Sequence, residues 1–129
     1  LLPGSVSILR TVPHRYELIK TSASWSDAQN YCRQKYNDLA TILSDTDWLR
    51  VNNKAASNGL TTYAWAGLYI NKDNWRWSLN NLPLTTMTYV NWYPGFPDNV
   101  AGSTCGTVSI AGYWLNPPCT TKRPFICYS

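Results

Sequence analysis

The sequence predicts an α+β domain in which two helices are followed by several strands. Two amphipathic segments with helical spacing lie in the first half of the chain, within residues 24–36 and 44–59. After them the pattern changes to alternating or wholly apolar segments, which are typical of strands. The 129 residues include seven tryptophans and nine tyrosines, enough for one aromatic-rich core. We therefore expect a single domain over residues 1–129, with small antiparallel sheets, two helices and a long ordered loop.

The low charge of the chain argues against several classes of function. Only 14% of the residues are charged, against about 25% in an average protein, and the net charge is +4. This excess is too small to indicate nucleic acid as a partner. No apolar run approaches the ~18 residues that a membrane-spanning helix needs. We expect neither nucleic-acid binding nor a membrane span in this chain.

The first elements are predicted from spacing and from a helix cap. Residues 1–13 are interpreted as an irregular N-terminal arm, and Arg15–Lys20 as a short edge strand. Ser24 is expected to cap a helix that runs to about Tyr36, because its hydroxyl can accept a hydrogen bond from the backbone three residues on. One stripe of this helix is apolar and should face the core: Trp25, Ala28, Cys32 and Tyr36.

A second strand and a second helix are predicted next. Asp38–Ile42 has the composition of a short strand. Ser44 is a second capping residue, and acidic residues in the following turn suit the helix dipole. This helix should end at Asn58-Gly59. Its inward residues are predicted to be Trp48, Val51 and Ala55.

The second half of the chain is predicted to contain strands around one long loop. Tyr63–Ile70 is apolar throughout and indicates a buried central strand, and Trp75–Trp77 is expected to continue it as a hairpin. Ser78–Thr104 contains several prolines and glycines, which predict a long loop. Apolar residues within it indicate that the loop folds back and packs. Cys105–Ile110 and Pro124–Cys127 are the predicted closing strands.

The four cysteines indicate disulfides rather than a metal site. They are scattered through the chain without a Cys-x-x-Cys pair, and the chain has one histidine, so a zinc site is disfavoured. An even number of separated cysteines favours two disulfides and an oxidising compartment. Three pairings are possible from the count alone. We therefore expect a secreted or extracellular protein.

The acid–base residues argue against an enzyme. Glu17 is the only glutamate and His14 the only histidine. A glycosidase normally places two carboxylates across a cleft, and no such pair can be named in this sequence. No nucleophile with a neighbouring base can be named either. We predict no catalytic activity, and we interpret His14 as a solvated residue of the arm.

A set of motifs in order along the chain resembles the C-type lectin-like domain, from about Tyr16 to Tyr128. The similarity is to the short form of the domain, and the chain is close in character to teleost lectins. This resemblance implies that Cys32 pairs with Cys127 and Cys105 with Cys119. The residues that carry it are Cys32, Trp65-Ala66-Gly67-Leu68, Trp75-x-Trp77-Ser78, Asn91-Trp92, Gly95-x-Pro97-Asp98-Asn99, Cys105, Trp114, Cys119 and Pro124-Phe125-Ile126-Cys127.

The resemblance also implies a calcium site that this chain has largely lost. Sugar-binding members hold calcium with oxygens from the long loop and from the strand near the second loop cysteine. Phe96 stands where the family has the first oxygen donor of a triplet, and Leu115 replaces a second donor. Asp98 and Asn116 are the residual candidates. Because calcium takes six to eight oxygens, several of them carboxylate, we expect no calcium cofactor.

The predicted function is extracellular recognition of a glycan or a protein, of the kind used in innate immunity, without calcium. Phe96 is expected either to fill the place of the lost ion or to anchor a ligand. Lys122-Arg123 is expected to form a solvated turn. The predicted contact residues are Tyr93, Phe96, Asp98, Asn99, Trp114 and Asn116.

The sequence leaves three further functions open. The first is a lectin that still requires calcium through Asp98 and Asn116. The second is an ice-binding protein, since fish antifreeze proteins of this fold exist. The third is a structural module of a longer receptor. The residues that the ice-binding hypothesis singles out are Thr61, Thr62, Thr85, Thr86 and Thr88.

Overall fold

The computed structural model describes residues 15–60, 62–71 and 74–129. The predicted arm at residues 1–13, His14, Thr61 and the hairpin residues 72–73 lie outside this part of the chain. Within the described ranges, no helix has the length and apolar character needed to cross a membrane.

Two helices form where the capping serines predict them. Helix α1 spans Trp25–Lys35 and helix α2 spans Asp45–Ser57. The Ser24 hydroxyl accepts from the third residue after it at 3.3 Å, and the Ser44 hydroxyl does the same at 3.1 Å. The predicted inner stripes are buried, apart from Tyr36 and Trp48, which are half-buried. The buried helix residues are Trp25, Ala28, Cys32, Asp47, Val51 and Ala55.

Seven strands of the described residues join into one sheet. The order along its main path is β1-β7-β3-β5-β6, while β2 pairs with β7 and β4 pairs with β3. Every pairing is antiparallel except the contact between β3 and β7, where Trp65 lies beside Phe125. The strands are β1 Tyr16–Ala23, β2 Asp38–Leu39, β3 Tyr63–Asn71, β4 Asn74–Trp77, β5 Cys105–Ser109, β6 Trp114–Leu115 and β7 Arg123–Tyr128.

The α+β class and the two helices are confirmed, and the strands differ from the prediction in detail. The predicted strand Asp38–Ile42 ends at Leu39. From Ala40 the chain is buried and hydrogen-bonds to two strands, donating to the Ile126 carbonyl at 2.8 Å and accepting from the Gly67 N–H at 2.9 Å. Strand β1 extends to Ala23 rather than ending at Lys20, because it follows β7 past an irregularity in the register.

The core lies between the sheet and the helices, and two disulfides join its parts. Three tryptophans are fully buried: Trp65, Trp77 and Trp114. The Cys32–Cys127 bond links α1 to β7 across 95 residues of sequence, with an S–S distance of 2.06 Å. The Cys105–Cys119 bond closes a 14-residue separation beside the long loop. Both predicted pairings are confirmed, and all four cysteines are bonded.

Candidate functional site

The long loop, residues 78–104, packs on the core as expected. Two single 3₁₀ turns interrupt it, at Leu79–Asn81 and Leu84–Thr86. Leu84 is buried, and several other apolar loop residues pack against the core. These half-buried residues are Leu82, Met87, Tyr89 and Trp92. The inner side of the loop is therefore packed on the core, and its outer residues are held in defined positions.

Trp114 on β6 is the aromatic anchor beneath the loop. Its ring packs edge-on against Trp77 and Trp92, with centroids 5.4 and 5.5 Å away. Its backbone N–H donates to the Asn91 carbonyl at 2.9 Å, and its backbone carbonyl accepts from the Tyr93 N–H at 3.0 Å. The side chain is fully buried. The expected role of Trp114 in ligand contact is therefore wrong: it holds the loop in place and has no surface to offer.

Asn116 is a second residue that holds the loop from inside, and only 2% of its surface is exposed. Its Oδ1 accepts from the Asp98 N–H at 3.1 Å, and its Nδ2 donates to the Asp98 carbonyl and the Ser103 carbonyl, each at 2.9 Å. The same Nδ2 lies 3.3 Å from the Asp98 carboxylate. One amide thus joins both ends of the segment 98–103. Asn116 was predicted to contact a ligand. Its buried side chain instead links two parts of the loop by hydrogen bonds.

The loop surface itself is aromatic. Tyr93 is 46% exposed and Tyr113 is 41% exposed, and their rings meet edge-on with centroids 5.3 Å apart. Half-buried Phe96 packs against Tyr93 on the same surface, at 6.2 Å. We call Tyr93, Phe96 and Tyr113 the aromatic surface. Phe96 is thus partly packed against Tyr93 and partly exposed.

Tyr113 was not predicted as a site residue. It lies in the turn between β5 and β6. Asn91 Nδ2 of the long loop donates a hydrogen bond to the Gly112 carbonyl of this turn at 2.7 Å, which links the turn to the loop. A side chain at Gly112 would meet the Trp48 ring at 3.1 Å, and its φ of +92° favours glycine. The available signal in the sequence was an aromatic residue directly after a turn glycine, outside the long loop.

The segment that carries the aromatic surface, residues 90–113, is almost free of charge. Asp98 is the only charged residue in the segment 90–113. Five of the seven large apolar side chains that are exposed in the described part of the chain lie in this segment: Val90, Tyr93, Val100, Ile110 and Tyr113. Large exposed apolar patches are uncommon on isolated proteins, so this segment is the candidate binding surface.

A shallow hollow adjoins this surface. It has a volume of about 350 Å³. Trp75 and Trp92 form one wall, with ring centroids 4.8 Å apart. The other lining residues are Asn74, Leu84, Thr85, Val90 and Pro97, the last of which follows a cis peptide bond. The hollow and the aromatic surface together offer stacking area beside amide and hydroxyl groups.

The remaining predicted residues are dispersed. Asn99 is exposed and Asp98 half-buried, both on the loop. Thr62, Thr85, Thr86 and Thr88 are exposed, and the Thr86 hydroxyl donates to the Pro83 carbonyl at 3.0 Å. The expected Lys122-Arg123 turn is wrong in part, because Arg123 begins β7 and pairs with Ala23.

The lone glutamate lies away from the loop. Glu17 pairs with Lys54 at 3.4 Å, in a groove between β1 and α2.

Comparison with known proteins identifies the family. The model of the Lectin C-type domain matches residues 21–129. The chain is 30% identical over 128 residues to horse E-selectin, covering 87% of this chain and 20% of that protein. It is 31% identical over 124 residues to regenerating islet-derived protein 3-gamma of Rattus norvegicus, covering 87% and 68%. The chain therefore spans about a fifth of the first of these relatives.

A solved structure agrees with the sequence match. The mouse scavenger receptor C-type lectin carbohydrate-recognition domain superposes with a TM-score of 0.78 at 26% identity, covering 92% of this chain and 89% of that one. A domain of this kind is a binding module and not an enzyme. Motif order, fold, disulfides and comparisons agree, and the chain belongs to the C-type lectin domain family.

Proposed function

We propose that this chain is a secreted or extracellular recognition domain that binds a glycan or protein ligand through the aromatic surface, without calcium. The observation that carries the proposal is the set of hydrogen bonds made by Asn116. The two residues that remain from the family's calcium site, Asp98 and Asn116, bond to each other. The loop therefore has an internal tie where related lectins use an ion.

The donor set does not fit calcium. Calcium needs six to eight oxygens at about 2.3–2.6 Å, several of them charged. Asn116 turns its N–H₂ group toward the Asp98 and Ser103 oxygens, so donor hydrogens lie where a cation would need lone pairs. Phe96 and Leu115 supply no oxygen from their side chains. In the described ranges, no group of three or more His, Cys, Asp or Glu residues could hold a metal.

The aromatic surface can supply affinity without an ion. Tyrosine offers a large rigid face and a hydroxyl, and such residues dominate the energetics of many interfaces. The neighbouring segment is almost uncharged, so covering it with a ligand removes few charged protein groups from water. Exposed Asn99, three residues after Phe96, can donate and accept hydrogen bonds.

A glycan array probed in calcium and again in a chelator tests the proposal. We expect the same binding pattern in both conditions, and loss of that binding in Tyr93→Ala and in Tyr113→Ala. The matched control is Tyr31→Ala, which removes an exposed tyrosine of α1 that is 37% exposed and lies outside the aromatic surface. Binding that disappears in chelator would contradict the proposal and support the calcium-requiring lectin.

Protein binding, ice binding and a structural role each have a distinct readout. If no glycan binds, capture of a protein ligand with the same three variants tests the second half of the proposal. Thermal hysteresis that is lost when Thr85, Thr86 and Thr88 are replaced would favour ice binding. Neither ligand binding nor hysteresis would leave a structural module of a longer protein.

A further inference from the structure

The groove between β1 and α2 has a volume of about 670 Å³, larger than the hollow beside the aromatic surface. It shares no residue with the aromatic surface or with that hollow. Its lining residues are Arg15, Tyr16, Glu17, Arg50, Asn53, Lys54 and Ser57. A groove of this size is within the range of pockets that hold small ligands, about 300–1,000 Å³.

Regular structure places these side chains on one surface. Arg50, Asn53, Lys54 and Ser57 are spaced by three and four residues, so they follow one face of α2. Arg15 directly precedes β1 and Glu17 is the second residue of that strand, so the two residues lie on the same side of the extended chain. The backbone of Arg15 is fixed by two 2.9 Å hydrogen bonds to Ser129, one in each direction.

The lining of the groove is rich in hydrogen-bond donors, most of them positively charged. Among the lining residues that the structure describes, three cations face one carboxylate: Arg15, Arg50 and Lys54 against Glu17. The Lys54–Glu17 pair is 3.4 Å long, and both side chains are about half exposed, so water screens it. Arg50 uses Nη1 on Asp47 at 3.3 Å, which leaves its other N–H groups to a ligand. Arg15 makes no ion pair with the part of the chain that the structure describes.

We propose that this groove binds a sulfated oligosaccharide. The donors that line it match oxyanions, and guanidinium groups bind the sulfate group with paired hydrogen bonds. The volume exceeds that of one sulfate ion and suits sugar units carrying more than one anionic group. The amide of Asn53 and the hydroxyl of Ser57 can bond the ring hydroxyls between the sulfates. The proposal is independent of the aromatic surface, and either can fail alone.

The test uses a size-defined heparin hexasaccharide at low salt, measured by calorimetry and by NMR shift mapping. We expect binding that weakens as salt rises, because sulfate contacts release counterions. The double variant Arg15→Gln with Lys54→Gln should weaken binding about tenfold. The matched control, Lys35→Gln with Lys122→Gln, removes the same charge from exposed sites outside the groove and should change affinity less than about twofold.

A gain of affinity separates binding from a structural role. Glu17→Gln removes the one carboxylate among the described lining residues and should tighten hexasaccharide binding about threefold. Tyr93→Ala should leave hexasaccharide binding unchanged, which distinguishes this groove from the loop site. Equal losses in both lysine-containing double variants, or no hexasaccharide binding by the unmodified protein, would overturn the proposal. Tighter binding of a single-stranded DNA oligomer with the same dependence on Arg15 and Lys54 would also overturn it.

Discussion

Two regions of this domain are held together in different ways. The frame of helices and long strands rests on buried apolar side chains and on ladders such as β1 with β7. The outer part of the long loop, residues 91–104, instead depends on a few individual anchors, chiefly Trp114 and Asn116. A loop fixed by few contacts can exchange its outer residues without disturbing the frame. It can also do without a calcium ion, provided that another group makes the hydrogen bonds that hold the loop.

The two disulfides give the largest expected effects and compare the regions directly. Replacing Cys32 and Cys127 by serine should reduce the free energy of unfolding by ~4–5 kcal/mol, because the bond closes a chain separation of 95 residues. Replacing Cys105 and Cys119, which close 14 residues, should cost ~3 kcal/mol. Urea unfolding of both variants measures the difference. A larger loss from the loop disulfide would show that the loop supports the frame, which is the reverse of what we expect.

Asn116 should dominate the stability of the loop. Asn116→Ala leaves the Asp98 N–H and the Ser103 carbonyl without their partner, at a cost of about 2–3 kcal/mol for buried groups left unpaired. Asn99→Ala, an exposed amide in the same loop, should change the free energy of unfolding by less than ~0.5 kcal/mol. Hydrogen exchange of residues 98–103 should rise only in the first variant. Equal effects would contradict the role assigned to Asn116.

Alkaline pH should act on the frame. Burial, and then the Asp47 carboxylate, raise the pKa of the Tyr16 hydroxyl, which donates to the Thr41 carbonyl at 2.8 Å. The pKa of this hydroxyl is higher in the folded protein than in the unfolded chain, where it is about 10. The stabilisation that the neutral hydroxyl contributes is therefore fully present below about pH 10 and falls as the pH rises above that value. Tyr16→Phe should cost ~1 kcal/mol at neutral pH and flatten this fall. Urea unfolding at several pH values up to about 11 checks both effects, and an unchanged slope would count against them.

The exposed rings of the aromatic surface should matter little to folding. Tyr93→Ala and Tyr113→Ala remove side chains that are 46% and 41% exposed, so the free energy of unfolding should fall by no more than about 0.5–1 kcal/mol. Circular dichroism melts of both variants measure this. A loss as large as that of Asn116→Ala would mean that these rings are supports rather than contacts.

Periodic patterns predicted the frame well, and this has a physical cause. Trp25, Ala28 and Cys32 follow from the helical repeat, and the serine caps follow from local hydrogen bonding, so both can be recognised in a short stretch of sequence. The fold as a whole was predictable because many motifs occur in the right order. The disulfide pairing followed from the family resemblance rather than from the cysteine count.

The site was less predictable, since its contacts join residues far apart in sequence. The loss of charge at Asn116 is visible in the sequence, but its bonds to Asp98, 18 residues away, are not. Trp114 is equally suited to surface or core until its neighbours Trp77 and Trp92 are known. The two-residue strand β6 is too short to show a period, so the sequence does not indicate that neighbouring Tyr113 joins the loop surface.

A thermal melt with and without about 5 mM calcium tests most directly whether the loop holds together without an ion. This concentration exceeds the ~10⁻⁴–10⁻³ M at which weak extracellular sites bind. We predict no measurable shift in Tm, since the side-chain amide of Asn116 already donates hydrogen bonds to the Asp98 and Ser103 carbonyl oxygens. The double variant Phe96→Glu with Leu115→Asn is the positive comparison and should move toward a calcium-dependent rise. A rise of about 2–9 °C in the unmodified protein, lost in Asp98→Ala, would contradict the prediction and establish a working calcium site.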